Sequence, residues 1–250
     1  MKKNRLITIM PMAGEGKRFK DNNYKLIKPL IKINNKAMFL NSLETFPSSD
    51  LMVIIFKDKS IKNVIMNKNS QKYFKKKCLD FLPFQIYKKT RGQAETCIRV
   101  NKIINKNDEI FIHSCDSYFN YSKKKLNILK NYYDIVIFVT KSNSTHHMFP
   151  NQYGWINIVN NKINNISCKK IASQNYKKDY IIVGSFYYKN KECFEKPIKE
   201  MIKSKSKINN EYYLDTSIMF AIKLNYKVGY IKVSKYKSWG APTELNQRKI

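Results

Sequence analysis

Two glycines and several cations lie close together near the start of the sequence. Gly14 and Gly16 are followed at once by Lys17 and Arg18, and Lys28 comes a short way further on. Glycine lets backbone N–H groups approach a ligand closely, and the neighbouring cations favour a negatively charged ligand. The pattern predicts a loop that binds an anion such as a triphosphate. A tight turn after an edge strand is the alternative that the glycines alone leave open.

A lone carboxylate follows an apolar run near the middle of the chain. Residues 110–112 are Ile, Phe and Ile, and Asp116 comes soon after them. A carboxylate at the end of a strand can hold a hard divalent cation while substrate phosphates complete the coordination shell. Asp116 is therefore a candidate metal ligand, and its alternative role is that of a turn or helix cap.

The elements that would position these residues alternate along the chain. Apolar runs that predict strands lie at 6–10, 30–33, 51–56, 84–87, 109–114, 134–140, 180–188 and 226–233. Segments with apolar residues at helical spacing lie between them, at 38–46, 65–79, 93–104, 124–131 and 194–203. This alternation predicts an α/β fold with a mostly parallel, Rossmann-like sheet flanked by helices. Ligands of such sheets bind beyond the carboxyl ends of the strands.

The apolar runs become shorter just after residue 140. Shorter strand-like runs at 153–159 and 162–167 are separated by Asn160 and Asn161. Pairs of asparagines favour tight hairpin turns, because Asn tolerates a positive φ angle. We therefore predict a small β-meander here, covering the second half of the binding site.

The net charge of +30 suggests a polyanionic partner at first sight. Only five of the 48 Lys and Arg residues are arginine, and the chain is also rich in Asn and Ile. Codons for Lys, Asn and Ile are AT-rich, so genome base composition is an alternative explanation for much of the charge, without selection for binding. Because a nucleic-acid-binding protein is expected to use more arginine, we predict no nucleic-acid partner and keep that class as an alternative.

Cysteine usage and hydropathy bear on the compartment. The five cysteines contain no C-x-x-C pair, so the sequence predicts neither a disulfide framework nor a zinc site. The apolar run at 6–10 stops at Pro11, and no segment approaches the roughly 18 uninterrupted apolar residues of a transmembrane helix. We expect a cytoplasmic protein without a membrane partner.

The first loop carries a family resemblance. The segment Met12-Ala13-Gly14-Glu15-Gly16-Lys17-Arg18-Phe19, followed by Lys28-Pro29-Leu30, resembles the signature of the sugar-phosphate nucleotidyltransferases, A-G-x-G-x-R and then K-P. The resemblance implies a GT-A-like fold and Mg²⁺-dependent transfer of a nucleotidyl group. It implies that Met12, Ala13, Gly14 and Gly16 bind the nucleotide, that Arg18 and Lys28 act on its phosphates, and that Asp116 binds Mg²⁺.

Further matches extend the resemblance over nearly the whole chain. Gly92 and Gln93 match a segment that contacts the base in the family, and an ordinary helix start is their alternative role. Lys169 matches a lysine that holds the acceptor phosphate, with Gly154 and Gly184 as further acceptor-site candidates. Asp215 matches a second metal ligand, and an acid in the first turn of a helix is its alternative role.

The resemblance implies one nucleotidyltransferase domain over 1–250, with a nucleotide-binding half at 1–140 and an acceptor-binding half at 141–250. The partners it implies are a nucleoside triphosphate and a small phosphorylated acceptor of the sugar 1-phosphate type. The product would be an activated precursor for capsule or another surface glycan.

One departure from the family pattern keeps the acceptor open. Cys168 stands where a sugar-binding glutamate is expected, and a thiol is a weak hydrogen-bond partner. A cytidylyltransferase that uses CTP and a phosphorylated amino-alcohol or amino-acid derivative is therefore the alternative. A glycosyltransferase of related fold is less well matched, because Asp116-Ser117-Tyr118 lacks the second acid of a D-x-D pair.

Overall fold

The computed structural model describes residues 4–246. Its strands are β1 (Leu6–Met12), β2 (Lys32–Ile33), β3 (Lys36–Ala37), β4 (Ser49–Phe56), β5 (Cys78–Gln85), β6 (Glu109–His113), β7 (Ser117–Asn120), β8 (Ile135–Lys141), β9 (Gly154–Val159), β10 (Lys162–Cys168), β11 (Tyr180–Tyr188), β12 (Val228–Lys232) and β13 (Ser234–Ser238). Its α-helices are α1 (Lys17–Lys20), α2 (Met38–Ser42), α3 (Lys59–Met66), α4 (Lys68–Lys75), α5 (Gln93–Ile98), α6 (Lys123–Leu129), α7 (Ser144–Met148), α8 (Lys191–Lys203), α9 (Leu214–Lys223) and α10 (Pro242–Asn246).

The central sheet has the order β5-β4-β1-β6-β11-β8-β12. Strands β5, β4, β1 and β6 are parallel. Along β1, Ile7 and Ile9 pack into a core shared with α5, α8 and α9, whereas Met10 and Met12 pack into a core shared with α2, α3 and α4 on the other face. A strand covered on both faces is apolar throughout, which is why β1 lacks polar alternation. The predicted α/β fold with a mostly parallel sheet is confirmed.

Strand β11 joins the two halves of the sheet. It runs antiparallel to β9 through its first residues and to β6 through its last, with β8 along its other side. The change of neighbour coincides with a register shift around Gly184, which has a φ of 74°. Of the predicted β-meander, the hairpin of β9 and β10 is present, and Asn160 and Asn161 have φ angles of 48° and 59° at its turn. The next strand in the sheet, β11, pairs with β9 and not with β10, so the three strands do not form a meander. The hairpin and β11 form the antiparallel extension that borders the site.

Three local predictions differ from the structure. The predicted helix at 65–79 is two helices and a strand: Asn67 ends α3, its side chain caps α4 by accepting from the N–H of Asn69, and Cys78 begins β5. The predicted strand at 30–33 is a 3₁₀ turn, Lys28–Leu30, followed by β2. Helix α9 was not among the predicted helices. Within the described residues, no helix combines the length and apolar character needed to cross a membrane.

Candidate active site

The first loop leaves β1 at Met12 and bends before the short helix α1. Gly16 stands before α1 with a φ of 62°, a conformation that glycine adopts without steric cost. A Cβ atom placed on Gly14 would have no heavy-atom neighbour within 4 Å. Met12, Ala13, Gly14 and Gly16 line a cavity of about 600 Å³. The backbone of this loop therefore faces open space in the cavity, and its contact with a nucleotide stays a prediction.

Lys28 and Asp116 form an ion pair in the same cavity. The Lys28 Nζ donates to Asp116 Oδ2 at 2.5 Å and to the Gly240 carbonyl at 3.2 Å. Burial on its own raises the pKa of Asp116, but the Lys28 ammonium and a hydrogen bond from Ser114 outweigh it, and the pKa falls to about 2. The carboxylate is consequently ionised at neutral pH and paired with the positively charged Lys28 side chain.

The turn that carries Asp116 is held in place by hydrogen bonds of His113. The His113 Nε2 lies 3.0 Å from the Ser117 carbonyl, to which it donates, so Nδ1 accepts from the Ser185 hydroxyl at 2.5 Å. Burial lowers the pKa of His113 to about 4, and the ring is neutral. The backbone N–H of Trp239 donates to the Asp116 carbonyl at 2.7 Å. Sequence reasoning missed His113 as a support, because its partners come from other strands.

A second cavity of about 240 Å³ contains the predicted acceptor residues Gly154, Gly184 and Lys169. Lys169 has a φ of 59°, and its Nζ donates to the Gln152 carbonyl at 2.5 Å and lies 5.0 Å from the centre of the Tyr213 ring. Burial lowers the pKa of Lys169 below its ordinary value, although the Asp215 carboxylate opposes the shift.

Asp215 lies in the first turn of α9 and also lines the smaller cavity. Its carboxylate packs directly on Gly154, where a Cβ would collide with it. Burial raises the pKa of Asp215 to about 6, against the opposing effect of Lys169. The glycine thus makes room for a carboxylate that gives up its proton only near neutral pH.

This shift predicts a pH-dependent stability. An unfolded Asp loses its proton near pH 3.8 whereas Asp215 keeps it until about pH 6 in the folded protein, so the free energy of unfolding falls as the pH rises through this window. Asp215→Asn should remove this pH dependence. The free energy of unfolding of the variant, relative to that of the wild type, should therefore rise by up to about 2–3 kcal/mol between about pH 4.5 and pH 8. Urea unfolding at both pH values, with a metal chelator present, measures the difference. A gain that is equal at the two pH values would contradict it.

Gly92 and Gln93 lie at the start of α5 and line the larger cavity. Gly92 has a φ of 116°, and a Cβ there would come within 2.6 Å of both the backbone N and O of Tyr212. The Tyr212 backbone bonds to both sides of this glycine, donating to the Arg91 carbonyl at 2.6 Å and accepting from the Ala94 N–H at 3.0 Å. Packing against Tyr212 therefore explains Gly92 by itself, and contact with a base stays a prediction.

The two cavities adjoin each other, since each is lined by the same seven residues in addition to its own: Arg18, Gln93, Ser114, Asp116, Lys169, Tyr213 and Gly240. All thirteen predicted site residues border one cavity or the other. Their individual roles stay predictions. Sequence reasoning also missed Gln152, Tyr236 and Glu244 in the smaller cavity, because none of them belongs to a motif with recognisable spacing.

The oxygen donors in these cavities bear on the predicted metal. Asp116 and Asp215 both line the smaller cavity, and residues 4–246 contain no cluster of three His, Cys, Asp or Glu side chains placed to hold a metal ion. A pair of carboxylates without nitrogen or sulfur ligands fits Mg²⁺, which keeps several waters and takes further oxygens from substrate phosphates. It does not fit a tetrahedral zinc site.

Gly14→Ala is expected to weaken ligand binding without lowering the stability of the fold. A Cβ at this position meets open space, so we expect the free energy of unfolding in urea to stay within about 0.5 kcal/mol of the wild type. The methyl group would nevertheless stand on the loop surface that faces the cavity, and nucleotide binding should weaken by about tenfold or more. Titration calorimetry with nucleoside triphosphates measures the second effect. Unchanged affinity would indicate that the nucleotide does not approach the loop at Gly14.

Comparisons with known proteins give the fold. No protein-family model matches the sequence, and no curated protein matches it either. Among solved structures, a nucleoside-diphosphate-sugar pyrophosphorylase from Vibrio cholerae RC9 is similar at a TM-score of 0.75 and 16% identity, over 96% of this chain and 98% of that one. An inositol-1-phosphate CTP transferase from T. maritima has a TM-score of 0.70 at 14% identity, over 100% and 95% of the two chains.

A UTP-bound UGPase from Acinetobacter baumannii has a TM-score of 0.71 at 10% identity, over 97% of this chain and 91% of that one. Each of these similarities covers more than nine-tenths of both chains. The chain therefore has the fold of the sugar-phosphate nucleotidyltransferases.

Proposed function

We propose that the protein is a Mg²⁺-dependent nucleotidyltransferase that transfers a nucleoside monophosphate from a nucleoside triphosphate to a small phosphorylated acceptor and releases pyrophosphate. One observation carries the proposal: the glycine loop, Asp116 and Lys169 border two adjoining cavities. A triphosphate in the larger cavity and a phosphorylated acceptor in the smaller one would meet at Arg18 and Asp116, which both cavities share.

The chemistry needs charge and positioning more than a protein base. A phosphate monoester is largely dianionic at neutral pH because its second pKa is about 6. An oxygen of the acceptor phosphate forms a bond to the α-phosphorus, and the bond from that phosphorus to the leaving pyrophosphate breaks. Lys28 would hold the α-phosphate, Arg18 the departing phosphates and Lys169 the acceptor phosphate. Mg²⁺ held by Asp116 and Asp215 would supply further positive charge at the reacting phosphates.

A sugar 1-phosphate is the first acceptor class, and the neighbours' names include sugar and inositol phosphate enzymes. A phosphorylated amino-alcohol or amino-acid derivative is the second, because Cys168 is buried and does not line the smaller cavity. Tyr153, Tyr213 and Tyr236 line that cavity together with Glu244. Aromatic faces and a carboxylate suit an ammonium group. Either product would be an activated unit for a surface glycan, capsule included.

A substrate matrix tests the proposal. The four common nucleoside triphosphates are each mixed with sugar 1-phosphates, inositol 1-phosphate, phosphocholine and phosphorylated amino acids, and pyrophosphate release is measured with and without Mg²⁺. Release that requires both an acceptor and Mg²⁺ supports the function. Retention on DNA that weakens steeply with salt, without turnover of any triphosphate, would favour the alternative of a nucleic-acid-binding protein.

A further inference from the structure

Gln152 contacts two cations that come from distant parts of the chain. Its side-chain Oε1 accepts from an Arg18 guanidinium N–H at 3.0 Å. Its main-chain carbonyl accepts from the Lys169 Nζ at 2.5 Å. Because a guanidinium has only donors, the atom of the Gln152 amide that faces Arg18 must be the oxygen.

The segment that carries Gln152 is anchored independently of these cations. Gln152 ends a 3₁₀ turn that begins at Pro150, and its own N–H donates to the Phe149 carbonyl at 3.0 Å. The buried Trp155 donates its indole N–H to the Pro150 carbonyl at 2.8 Å. The main-chain carbonyl of Gln152 is thus held in place independently of Lys169, and the turn fixes the position from which the side chain reaches Arg18.

Anion binding by Arg18 depends on the charge of the group that contacts it, and the Gln152 amide is uncharged. Lys28 faces a carboxylate, Asp116, which balances its charge. Arg18, by contrast, makes no ion pair with any Asp or Glu within the described part of the chain and contacts the uncharged amide of Gln152. A neutral acceptor fixes the direction of a guanidinium without cancelling its charge, so the whole charge stays available for phosphate.

We propose that Gln152 is a positioning residue for the proposed reaction, whose amide oxygen orients Arg18 toward the polyphosphate while its main-chain carbonyl orients Lys169 toward the acceptor. The inference rests on the proposed function and adds a residue to it. Side-chain substitutions at Gln152 should act through Arg18 alone, since Lys169 bonds to the main chain.

Inorganic tripolyphosphate is a suitable probe, because it needs neither a base nor an acceptor. We expect Gln152→Ala to weaken its binding about tenfold in calorimetry with Mg²⁺ present. Gln152→Glu should weaken binding further, because an added carboxylate would pair with Arg18 and repel the anion. Asn151→Ala, at an exposed position of the same turn, is the matched control and should bind as the wild type does.

A double-substitution cycle separates positioning from general destabilisation. In an Arg18→Ala background, Gln152→Ala should add little to the loss caused by Arg18→Ala alone, because its effect passes through Arg18. Wild-type binding by both Gln152 variants, or a Gln152→Ala loss that adds fully to that of Arg18→Ala, would overturn the inference and leave the proposed function in place. Failure of the wild-type protein to bind tripolyphosphate, with no pyrophosphate release in the substrate matrix, would overturn both.

Discussion

Asp116→Asn is expected to lower turnover at least ~100-fold with the triphosphate and acceptor pair found in the substrate matrix. The substitution keeps the shape of the side chain and removes the negative charge that Lys28 contacts at 2.5 Å. It also removes the ionised carboxylate proposed to hold Mg²⁺ where the two cavities meet. Steady-state assays of pyrophosphate release at saturating substrates measure the loss in kcat.

The control for this variant is Asp80→Asn, which neutralises an exposed carboxylate on β5. It should retain wild-type kcat. That result would show that the loss of kcat in Asp116→Asn does not come from the change in net charge. Circular dichroism should show that both variants are folded. Near-wild-type turnover by Asp116→Asn would exclude Asp116 from the chemistry.

Gly92→Ala should lower the free energy of unfolding by about 3 kcal/mol or more. A φ of 116° costs a non-glycine residue about 1–3 kcal/mol. The new Cβ would also approach the Tyr212 backbone to 2.6 Å, and overpacking of this kind costs about 1–3 kcal/mol more. Urea unfolding monitored by far-UV circular dichroism measures the change.

Gly14→Ala is the matched comparison for Gly92→Ala, since both add one methyl group to the same cavity wall. We expect the substitution at 92 to damage the fold and the one at 14 to leave it intact. Wild-type stability of Gly92→Ala would mean that the contact between α5 and Tyr212 relaxes freely. The glycine would then have to be explained by ligand approach alone.

Local sequence patterns predicted many of the residues that border the two cavities. The glycine loop and Asp116 were found because each follows an apolar run that becomes a buried parallel strand, and the ends of such strands meet at one edge of the sheet. Asn160 and Asn161 gave the hairpin because their own backbone preference decides the turn. In each case the residues that make the pattern recognisable lie within about ten positions of one another in the sequence.

The features that sequence reasoning missed depend on distant contacts. Helix α9 is buried between the sheet and α8, so its apolar residues do not form the single stripe of a surface helix. The small sheet of β7 and β13 pairs polar segments that have no strand pattern of their own. Gln152 meets Arg18 across 134 residues of sequence. No local pattern contains that contact, because only the fold brings the two residues together.

Strand β11 has a consequence for how the cleft can open. Its first half borders the hairpin of β9 and β10, its second half borders β6, and β8 lies along its other edge. A hinge between the two halves of the chain would have to break the ladder of this strand. We expect substrates to enter and products to leave through rearranged loops over a sheet that stays whole. Hydrogen exchange should therefore be slow in β11 even with the substrates of the proposed reaction present.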